Sequence, residues 1–533
     1  MRSILKASSI KTLVNYLGIN EIILGALCLI HSISMIRNFS ETAEVPQSDI
    51  FFYDFGPYYY FLLVAAGLSL LKGPLLIYSV KKQALCAPSR NSFLTSRRPD
   101  SLHLYDFYSY WRDTVGNFTT LPQVFKENGY YTHSIGKIFH PGVSSNFTDD
   151  AKYSWSGQPF HPKTETYKEA KVCMNPDGQL ARNLICPVIP DAQPGGTLPD
   201  LESLVAAQEF LKHKDQITKG KPFFLAVGFH KPHVPLKFPV DYLEFHPLED
   251  VVLPKIRWKP PLMPSVAWNP WLDVKSRDDI TKLNLSFPFG VMPDNVTRQV
   301  IRGYNAATSY IDDLIESLLG KINLNNTVVV LTGDHGWSRG EHGEFSKFSN
   351  FDVATQVPLI IHVPGLSHVE VVVDQLVELV DLFPTLVDLT QVAPSLPTCS
   401  EDGKNSKLCT EGRSMVPIMV TKKQKQVSPG KSAVFSQYPR PGAFPTQQPD
   451  SDRPRLNQIT VMGYSIRTQQ HRYTEWIKFN HTSFMPDWST VYGKELYDHL
   501  IDPLENMNLA LRPELSYVVS SLRKKLIAGW RYA

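Results

Sequence analysis

The chain has 533 residues, 43% of them hydrophobic and 20% charged, which is the composition of a globular protein with room for two or three domains. Its formal net charge is +3 and it has no long run of Lys or Arg, so its composition gives no case for a nucleic-acid partner. The 41 prolines and the lack of an internal repeat favour a loop-rich enzyme over a repeat protein.

Residues 1–85 differ in character from the rest of the chain and contain two apolar stretches. Residues 18–36 are about one bilayer long but include a glutamate and a histidine, whereas residues 58–80 begin with an aromatic cluster and end before Lys81 and Lys82. We therefore predict a separate N-terminal segment with one or two membrane helices and membrane association through these stretches. A buried helix, or a signal anchor for the first stretch, is the alternative.

Four of the six cysteines form two close pairs in the sequence, Cys173 with Cys186 and Cys399 with Cys409. Each pair would close a short loop, which indicates disulfides in an oxidising compartment, with reduced thiols as the alternative. Seven asparagines stand in N-x-S/T sequons: Asn38, Asn117, Asn146, Asn284, Asn295, Asn325 and Asn480. We therefore expect the secretory pathway, although the lysines beside the membrane stretches would place the following domain in the cytosol.

From residue 86 on, strand-like apolar runs alternate with helical patterns. The runs cover residues 223–228, 327–331 and 359–363, and the helical patterns include residues 201–212 and 299–319. This alternation predicts an α/β sandwich with a mostly parallel sheet. Polar motifs follow the runs, so we expect the functional site at the carboxyl ends of the strands.

The segment CAPSRNSFLTSR, residues 86–97, carries the most specific motif. A cysteine phosphatase loop needs five residues between Cys and Arg, but three separate Cys86 from Arg90, and the local sequence of a papain-like nucleophile is missing. The pattern C-x-P-S-R-x-x-x-L-T-x-R instead resembles the signature of the type I sulfatases, a family of the alkaline-phosphatase-like superfamily. The resemblance implies that a formylglycine-generating enzyme oxidises Cys86 to formylglycine (3-oxoalanine). The hydrate of that aldehyde would be the nucleophile, held by Arg90.

The segment GYYTHSIGKIFH, residues 129–140, resembles the second signature of the same family. Lys137 would set a fixed positive charge against the sulfate oxygens and would also hold the hydrate. His140 could move a proton near neutral pH. An exposed lysine and a surface histidine are the alternative for either residue alone.

The segment GFHKPHVP places His230 and His233 directly after the run at residues 223–228. Similarity to the family implies that His230 lies beside the sulfate and protonates the departing sugar oxygen. We expect His233 to be structural.

The segment TGDHGWSRGEHGEFSKFSNFD follows the run at residues 327–331. Asp334 and His335 end that run, where they could ligate a hard divalent cation. By resemblance the cation is Ca²⁺ and the modified Cys86 is a further ligand. Lys347 would bind the sulfate together with Lys137 and His230.

The resemblance covers residues 84–533. It implies an α/β fold in which an alkaline-phosphatase-like mixed sheet is sandwiched by helices over residues 86–430, followed by a smaller C-terminal α/β subdomain over residues 431–533. It also implies a lysosomal sulfuric ester hydrolase whose substrate is a sulfated glycosaminoglycan.

The sequence departs from the family pattern ahead of Cys86. Members carry an Asp-Asp pair of metal ligands at the end of their first strand, whereas only Asp49 and Asp54 precede Cys86 in this chain. We therefore expect the catalytic domain to lack that strand and to bind a cation weakly, because carboxylate count sets affinity for hard cations. A catalytically impaired, membrane-tethered sulfatase-like protein is the alternative function. A phosphate-ester hydrolase is a third reading, disfavoured because those enzymes carry Ser or Thr in place of Cys86.

Overall fold

The computed structural model describes residues 75–81, 83–367, 371–401, 406–423 and 430–532. The predicted membrane stretch at residues 18–36 and the first part of the stretch at residues 58–80 lie outside these ranges. Among the residues that are described, no helix combines the length and the apolar character needed to cross a membrane.

The helices, labelled in chain order, are α1 (Cys86–Thr95), α2 (Pro99–Leu102), α3 (Trp111–Thr114), α4 (Leu121–Glu127), α5 (Ala151–Ser154), α6 (Pro199–Lys212), α7 (Lys214–Thr218), α8 (Leu272–Lys275), α9 (Asp278–Thr281), α10 (Asp294–Leu319), α11 (Asp352–Thr355), α12 (Leu382–Thr390), α13 (Val416–Lys423) and α14 (Ser516–Ala528). The strands are β1 (Leu75–Lys81), β2 (Tyr131–Gly136), β3 (Cys173–Met174), β4 (Leu180–Ala181), β5 (Ile185–Val188), β6 (Phe223–Gly228), β7 (Leu236–Pro239), β8 (Val329–Thr332), β9 (Ser338–Arg339), β10 (Phe345–Ser346), β11 (Val357–His362), β12 (Val371–Val373), β13 (Val377–Glu378), β14 (Val434–Arg440), β15 (Val461–Arg467), β16 (His471–Asn480) and β17 (Met485–Asp498).

Strand β1 lies inside the main sheet. Its backbone pairs antiparallel with β11 and parallel with β12 and β13, and β8 pairs with the other side of β11. The predicted membrane helix over residues 58–80 is therefore wrong for its last residues. A strand thus precedes Cys86 in this sheet, but β1 carries no Asp-Asp pair, and the expectation that the domain lacks the family's first strand stays a prediction. A short apolar run suits a buried strand as well as a helix, and periodicity alone does not separate the two.

The sheet directions are mixed, as the family resemblance implied, and not mostly parallel, as the alternating runs alone predicted. Strands β2 and β6 pair in parallel, whereas β11 runs antiparallel to both β1 and β8. The predicted runs correspond to β6, β8 and β11 to within two residues at each end, and the long helical patterns correspond to α6 and α10. The α/β class is confirmed.

Helix α1 begins at Cys86 and is held rigidly by buried polar contacts. The Nε1 of Trp111 donates to the Oδ1 of Asn91 at 2.9 Å, and the Nδ2 of Asn91 donates to the carbonyl of Ala87 at 2.9 Å. The helix ends at Ser96, which takes a left-handed conformation with φ 52°. The first N–H groups of α1 and the positive end of its dipole are therefore fixed around residue 86.

Strands β14 to β17 form a second, antiparallel sheet, against which α14 packs. A buried carboxylate connects this sheet with the main sheet. Glu378 in β13 accepts hydrogen bonds from Arg98 at 2.6 and 2.7 Å, from Lys431 at 2.6 Å and from the backbone N–H of Phe435 in β14 at 3.0 Å. One side chain thus joins three distant segments of the chain. The predicted division at residues 430 and 431 stays a prediction.

Within the described ranges, disulfides join Cys173 to Cys186 and Cys399 to Cys409. Cys86 is the free cysteine of the described residues and is buried. The sequon asparagines that the structure describes are all exposed: Asn117, Asn146, Asn284, Asn295, Asn325 and Asn480. Their glycosylation stays a prediction, and Asn38 lies outside the described residues.

Candidate active site

Cys86 lies at the centre of a cluster of buried polar side chains. Its Sγ is 3.1 Å from the Nε2 of His335, 3.3 Å from the Nζ of Lys347 and 3.8 Å from the Nζ of Lys137. Burial alone would raise the pKa of the Cys86 thiol, but the charges of Lys137 and Lys347 outweigh it and hold the pKa well below its ordinary value. The cluster is therefore built to hold negative charge at residue 86.

The two lysines reach this point from the ends of different strands. Lys137 follows β2, and its backbone N–H donates to the carbonyl of Gly228 at the end of β6 at 2.8 Å. Gly136 makes this approach possible, because its φ is +72° and a Cβ there would lie 2.3 Å from the carbonyl oxygen of Gly228. Burial lowers the pKa of Lys137 to about 8. Lys347 follows β10 and is 3% exposed.

Arg90 binds residues that surround Cys86. Its Nε donates to the Oδ2 of Asp334 at 2.8 Å, and its Nη1 donates to the carbonyls of Lys137 and Ile138, the latter at 3.0 Å. These bonds tie the backbone of Lys137 to the loop after β8. These hydrogen bonds fix the residues around residue 86, and the role of Arg90 in holding the reactive group stays a prediction.

Asp334 and His335 lie beside Cys86, as the sequence predicted for a metal site. The sulfur, an Asp334 carboxylate oxygen and a His335 ring nitrogen all lie within 4.8 Å of one another. Burial would raise the pKa of Asp334, but the Arg90 guanidinium and His335 hold it well below the ordinary value. The Nδ1 of His335 lies 2.9 Å from the carbonyl of Gly336, which fixes the ring.

These donors do not fit a calcium ion as they stand. Calcium takes about 6–8 oxygen ligands, and carboxylate count sets its affinity. Among the described residues this group supplies one carboxylate, whose Oδ2 is already in a salt bridge with Arg90. The ammonium groups of Lys137 and Lys347 add positive charge next to it. Among the described residues, the predicted Ca²⁺ site therefore has fewer oxygen ligands than calcium requires.

Calcium binding by this protein is expected to be weak. We expect a dissociation constant of about 10⁻³ M or higher in a calorimetric titration of the calcium-free protein, because one free carboxylate oxygen supplies few of the ligands that calcium needs. Asp334→Asn should remove what binding remains, while Asp177→Asn, at an exposed acid, should change nothing. A micromolar dissociation constant would contradict this expectation and would require ligands from outside the described residues.

His140 lies on the wall of the cavity in front of Cys86. Its ring contacts Phe107 with centroids 4.6 Å apart. Burial first, and then the charges of Lys137 and Arg90, hold the pKa of His140 well below its ordinary value, so the ring is neutral at neutral pH. Its buried Nδ1 has no hydrogen-bond partner among the described residues. A neutral imidazole with a free nitrogen is suited to accept a proton from a bound group.

His230 and His233 have different surroundings, and the roles predicted for them stay predictions. The backbone N–H of His230 donates to Asp200 at 2.6 Å, and its ring nitrogens lie 3.5 Å from Asp200 and 3.9 Å from Glu165. His233 lines the cavity, and its Nδ1 lies 2.7 Å from the carbonyl of Val234. Burial lowers the pKa of His233 far below its ordinary value. The motif spacing located both rings but did not determine which of them faces the cavity.

The cavity in front of Cys86 has a volume of about 640 Å³, which is within the range of small-molecule sites. Its wall has six basic residues against two acidic ones, Glu169 and Asp273. The basic residues that line it are Lys137, Lys168, Arg182, Arg277, Lys347 and Arg453. Motif reasoning found Lys137 and Lys347 but missed the others, because they come from loops without a motif. For Lys168 alone the sequence held a signal, the density of charged residues over residues 163–171.

Sequence comparisons with known proteins identify the family, and a structural comparison identifies the fold. The sequence profile of a family described as Sulfatase matches residues 71–392. The chain is 43% identical to iduronate 2-sulfatase of Mus musculus over 83% of this chain and 85% of the relative, and 44% identical to iduronate 2-sulfatase of Homo sapiens over 80% and 83%. The structure also resembles a phosphonate monoester hydrolase of Agrobacterium radiobacter, with a TM-score of 0.58, 18% identity, and coverage of 88% and 90%.

Proposed function

The chain belongs to the sulfatase family and is a sulfuric ester hydrolase, and from this premise we propose that it removes the 2-O-sulfate of terminal iduronate in dermatan sulfate and heparan sulfate. The observation that carries the proposal is the position of Cys86, buried at the start of α1 with Lys347 and Lys137 at 3.3 and 3.8 Å from its sulfur. Curated relatives more than 40% identical are named for this reaction.

Residue 86 is proposed to be modified before it works. Oxidised to formylglycine by a formylglycine-generating enzyme, it supplies the hydroxyl of an aldehyde hydrate as the nucleophile for the sulfur of the ester. The surroundings fit such a group, because two ammonium groups, an imidazole and the start of a helix all favour an oxygen that carries negative charge. In the unmodified chain, Cys86 Sγ marks where that group lies.

Lys137 and Lys347 would hold the sulfate oxygens. Both ammonium groups are buried and lie on the same side of residue 86 as the cavity. Fixed charges in a water-poor site stabilise charge that develops during reaction without having to reorganise. Arg90 supports this arrangement through Asp334 and the backbone at Lys137.

Two proton transfers remain for the histidines. His140, neutral and on the cavity wall, would take a proton from residue 86 when sulfate leaves. His230 stays the proposed donor to the departing sugar oxygen. His233 lines the cavity but is the weaker candidate, because its pKa is held far below the ordinary value and its Nδ1 faces the carbonyl of Val234. Comparing His230→Ala with His233→Ala separates the two, because the donor's loss should hurt a sugar substrate far more than an aryl sulfate with a good leaving group.

The cysteine pairs and exposed sequons support a secretory route, and we propose the lysosome as the destination. A catalytically impaired, membrane-tethered protein is the alternative function. The shortage of oxygen ligands around Asp334 favours it, while its predicted membrane stretch at residues 18–36 lies outside the described residues.

Release of inorganic sulfate from a 2-O-sulfated iduronate disaccharide tests the proposal. The full chain, made in secretory cells that contain a formylglycine-generating enzyme, is expected to release sulfate measurable by ion chromatography. The same chain made in bacterial cytosol without that enzyme is the control and should release far less. Mass spectrometry of the peptide containing residue 86 reports the modification independently. A modified chain that releases no sulfate would contradict the proposal and favour the impaired protein.

A further inference from the structure

The cations on the cavity wall differ in how well they are neutralised. Away from residue 86, each of three arginines has a close carboxylate partner. These pairs are Arg182 with Asp278 at 3.5 Å, Arg277 with Glu169 at 2.8 Å, and Arg453 with Asp450 at 2.7 Å. Each guanidinium therefore has a carboxylate oxygen within 3.5 Å, although the side chains of Arg182 and Arg453 are 46% and 36% exposed.

Lys168 is the exception on this wall. It follows a short 3₁₀ helix, Lys163–Tyr167, and lines the same cavity as Lys137 and Lys347. Its Nζ lies 3.9 Å from a carboxylate oxygen of Glu165, at the limit of an ion pair, and both side chains are 33% exposed. An ion pair that long and that exposed is worth little. Lys168 therefore presents a charge to the cavity that the protein does not neutralise well.

Lys168 also interacts electrostatically with the residues around Cys86. Burial lowers the pKa of Lys168, and the charges of Lys347 and of residue 86 act on it as well. Conversely, the charge of Lys168 contributes to the low pKa values of His140 and His233. An anion held between Lys137 and Lys347 and a second anion held at Lys168 would thus lie in one cavity.

A sulfated uronic acid carries two such anions, a sulfate and a carboxylate. We propose that Lys168 binds the carboxylate of the substrate sugar while Lys137 and Lys347 hold its sulfate. The inference rests on the proposed function and adds to it the residue that selects sugar acids over neutral sulfated sugars. A carboxylate opposite an ammonium forms a charge-assisted hydrogen bond, which is stronger than a neutral one. The cavity of about 640 Å³ has room for both groups on one ring.

Steady-state kinetics on two substrates test this role. One substrate is a 2-O-sulfated iduronate disaccharide and the other is 4-nitrophenyl sulfate, which has no carboxylate. Lys168→Gln removes the charge and keeps the length of the side chain, Lys168→Arg keeps the charge, and Lys171→Gln is the matched control at an exposed lysine three residues away.

We expect Lys168→Gln to raise KM for the iduronate substrate about tenfold with little change in kcat, and to leave KM for 4-nitrophenyl sulfate unchanged. Lys168→Arg should keep most of the affinity, and Lys171→Gln should match the wild type on both substrates. Equal changes on both substrates, or none on either, would overturn the inference.

Binding separates this inference from the proposed function. Calorimetry of the iduronate substrate with Cys86→Ala, alone and combined with Lys168→Gln, measures affinity without turnover. If the wild type hydrolyses neither substrate but Lys168→Gln still weakens binding about tenfold, the catalytic proposal fails and the carboxylate site stands. If hydrolysis is normal and Lys168→Gln has no effect on binding, the carboxylate site fails alone.

Discussion

Replacing Cys86 by alanine is expected to lower the rate of sulfate-ester hydrolysis by at least about 10⁴-fold, since loss of a covalent nucleophile typically removes most of the rate enhancement. The geometry gives the reason. Lys137, Lys347 and His335 converge on the side chain of residue 86, and no other cysteine of the described residues is free. Initial rates of sulfate release from wild-type and variant protein, at equal protein concentration, make the measurement.

Ser92→Ala is the matched control for Cys86→Ala. Ser92 is buried on the same helix, α1, but lines a different cavity from the one in front of Cys86. We expect this variant to keep its activity, and both variants to unfold at temperatures close to that of the wild type. Residual activity of Cys86→Ala above one per cent or so of the wild type would reject covalent catalysis at this position.

Replacing Glu378 by glutamine is expected to destabilise the fold by about 3–5 kcal/mol, the cost of breaking a buried ion pair by removing one partner. The carboxylate neutralises Arg98 and Lys431 at once, with N–O distances of 2.6 to 2.7 Å. Lys431 would keep its second partner, Asp381, at 2.6 Å, but an amide would leave the buried Arg98 guanidinium without the carboxylate that accepts its two hydrogen bonds. Equilibrium unfolding in urea, followed by tryptophan fluorescence, measures the change in free energy.

Glu127→Gln, at an exposed glutamate in α4, is the control and should shift the free energy of unfolding by less than about 0.5 kcal/mol. A similarly small shift for Glu378→Gln would show that the ion-pair group adds little to stability. Activity measured at low denaturant should be kept in both variants, since Glu378 is not among the residues that line the cavity.

The same carboxylate predicts how stability depends on acid. Burial alone would raise the pKa of Glu378, but Arg98 and Lys431 lower it to about 2. A carboxyl whose folded pKa lies below its unfolded pKa of about 4.3 stabilises the fold fully above pH 4.3, and the contribution is lost as pH falls towards 2. The Glu378 group is therefore retained at mildly acidic pH.

Much of the candidate site could be predicted from the sequence, because its residues occur in motifs that follow strands. Cys86 and Lys347 are 261 residues apart, yet their side chains meet at 3.3 Å. The motifs predicted this because strand ends that share a sheet edge bring their loops together. The hydrogen-bond partners of Arg90, His230 and His233 could not be predicted, since spacing along the chain does not fix which way a side chain turns.

Other features depended on contacts that the sequence does not show. Strand β1 looked like part of a membrane segment, because its apolar run gives the same local pattern in a buried strand and in a helix. Its pairing with β11, β12 and β13 involves residues about 300 positions away. Lys168 belongs to a loop without a motif, and only the folded cavity shows what it faces.

The burial of Cys86 has a consequence for how the protein is made. Cys86 is 1% exposed in the folded chain, and Ala84, Leu85 and Ala87 around it are fully buried. An enzyme that oxidises Cys86 must therefore reach the segment before α1 packs, while the chain is still being synthesised or has not yet folded. The yield of active protein would then depend on the rate of oxidation of Cys86 relative to the rate of folding. A change that speeds folding could produce a more stable molecule that is permanently inactive.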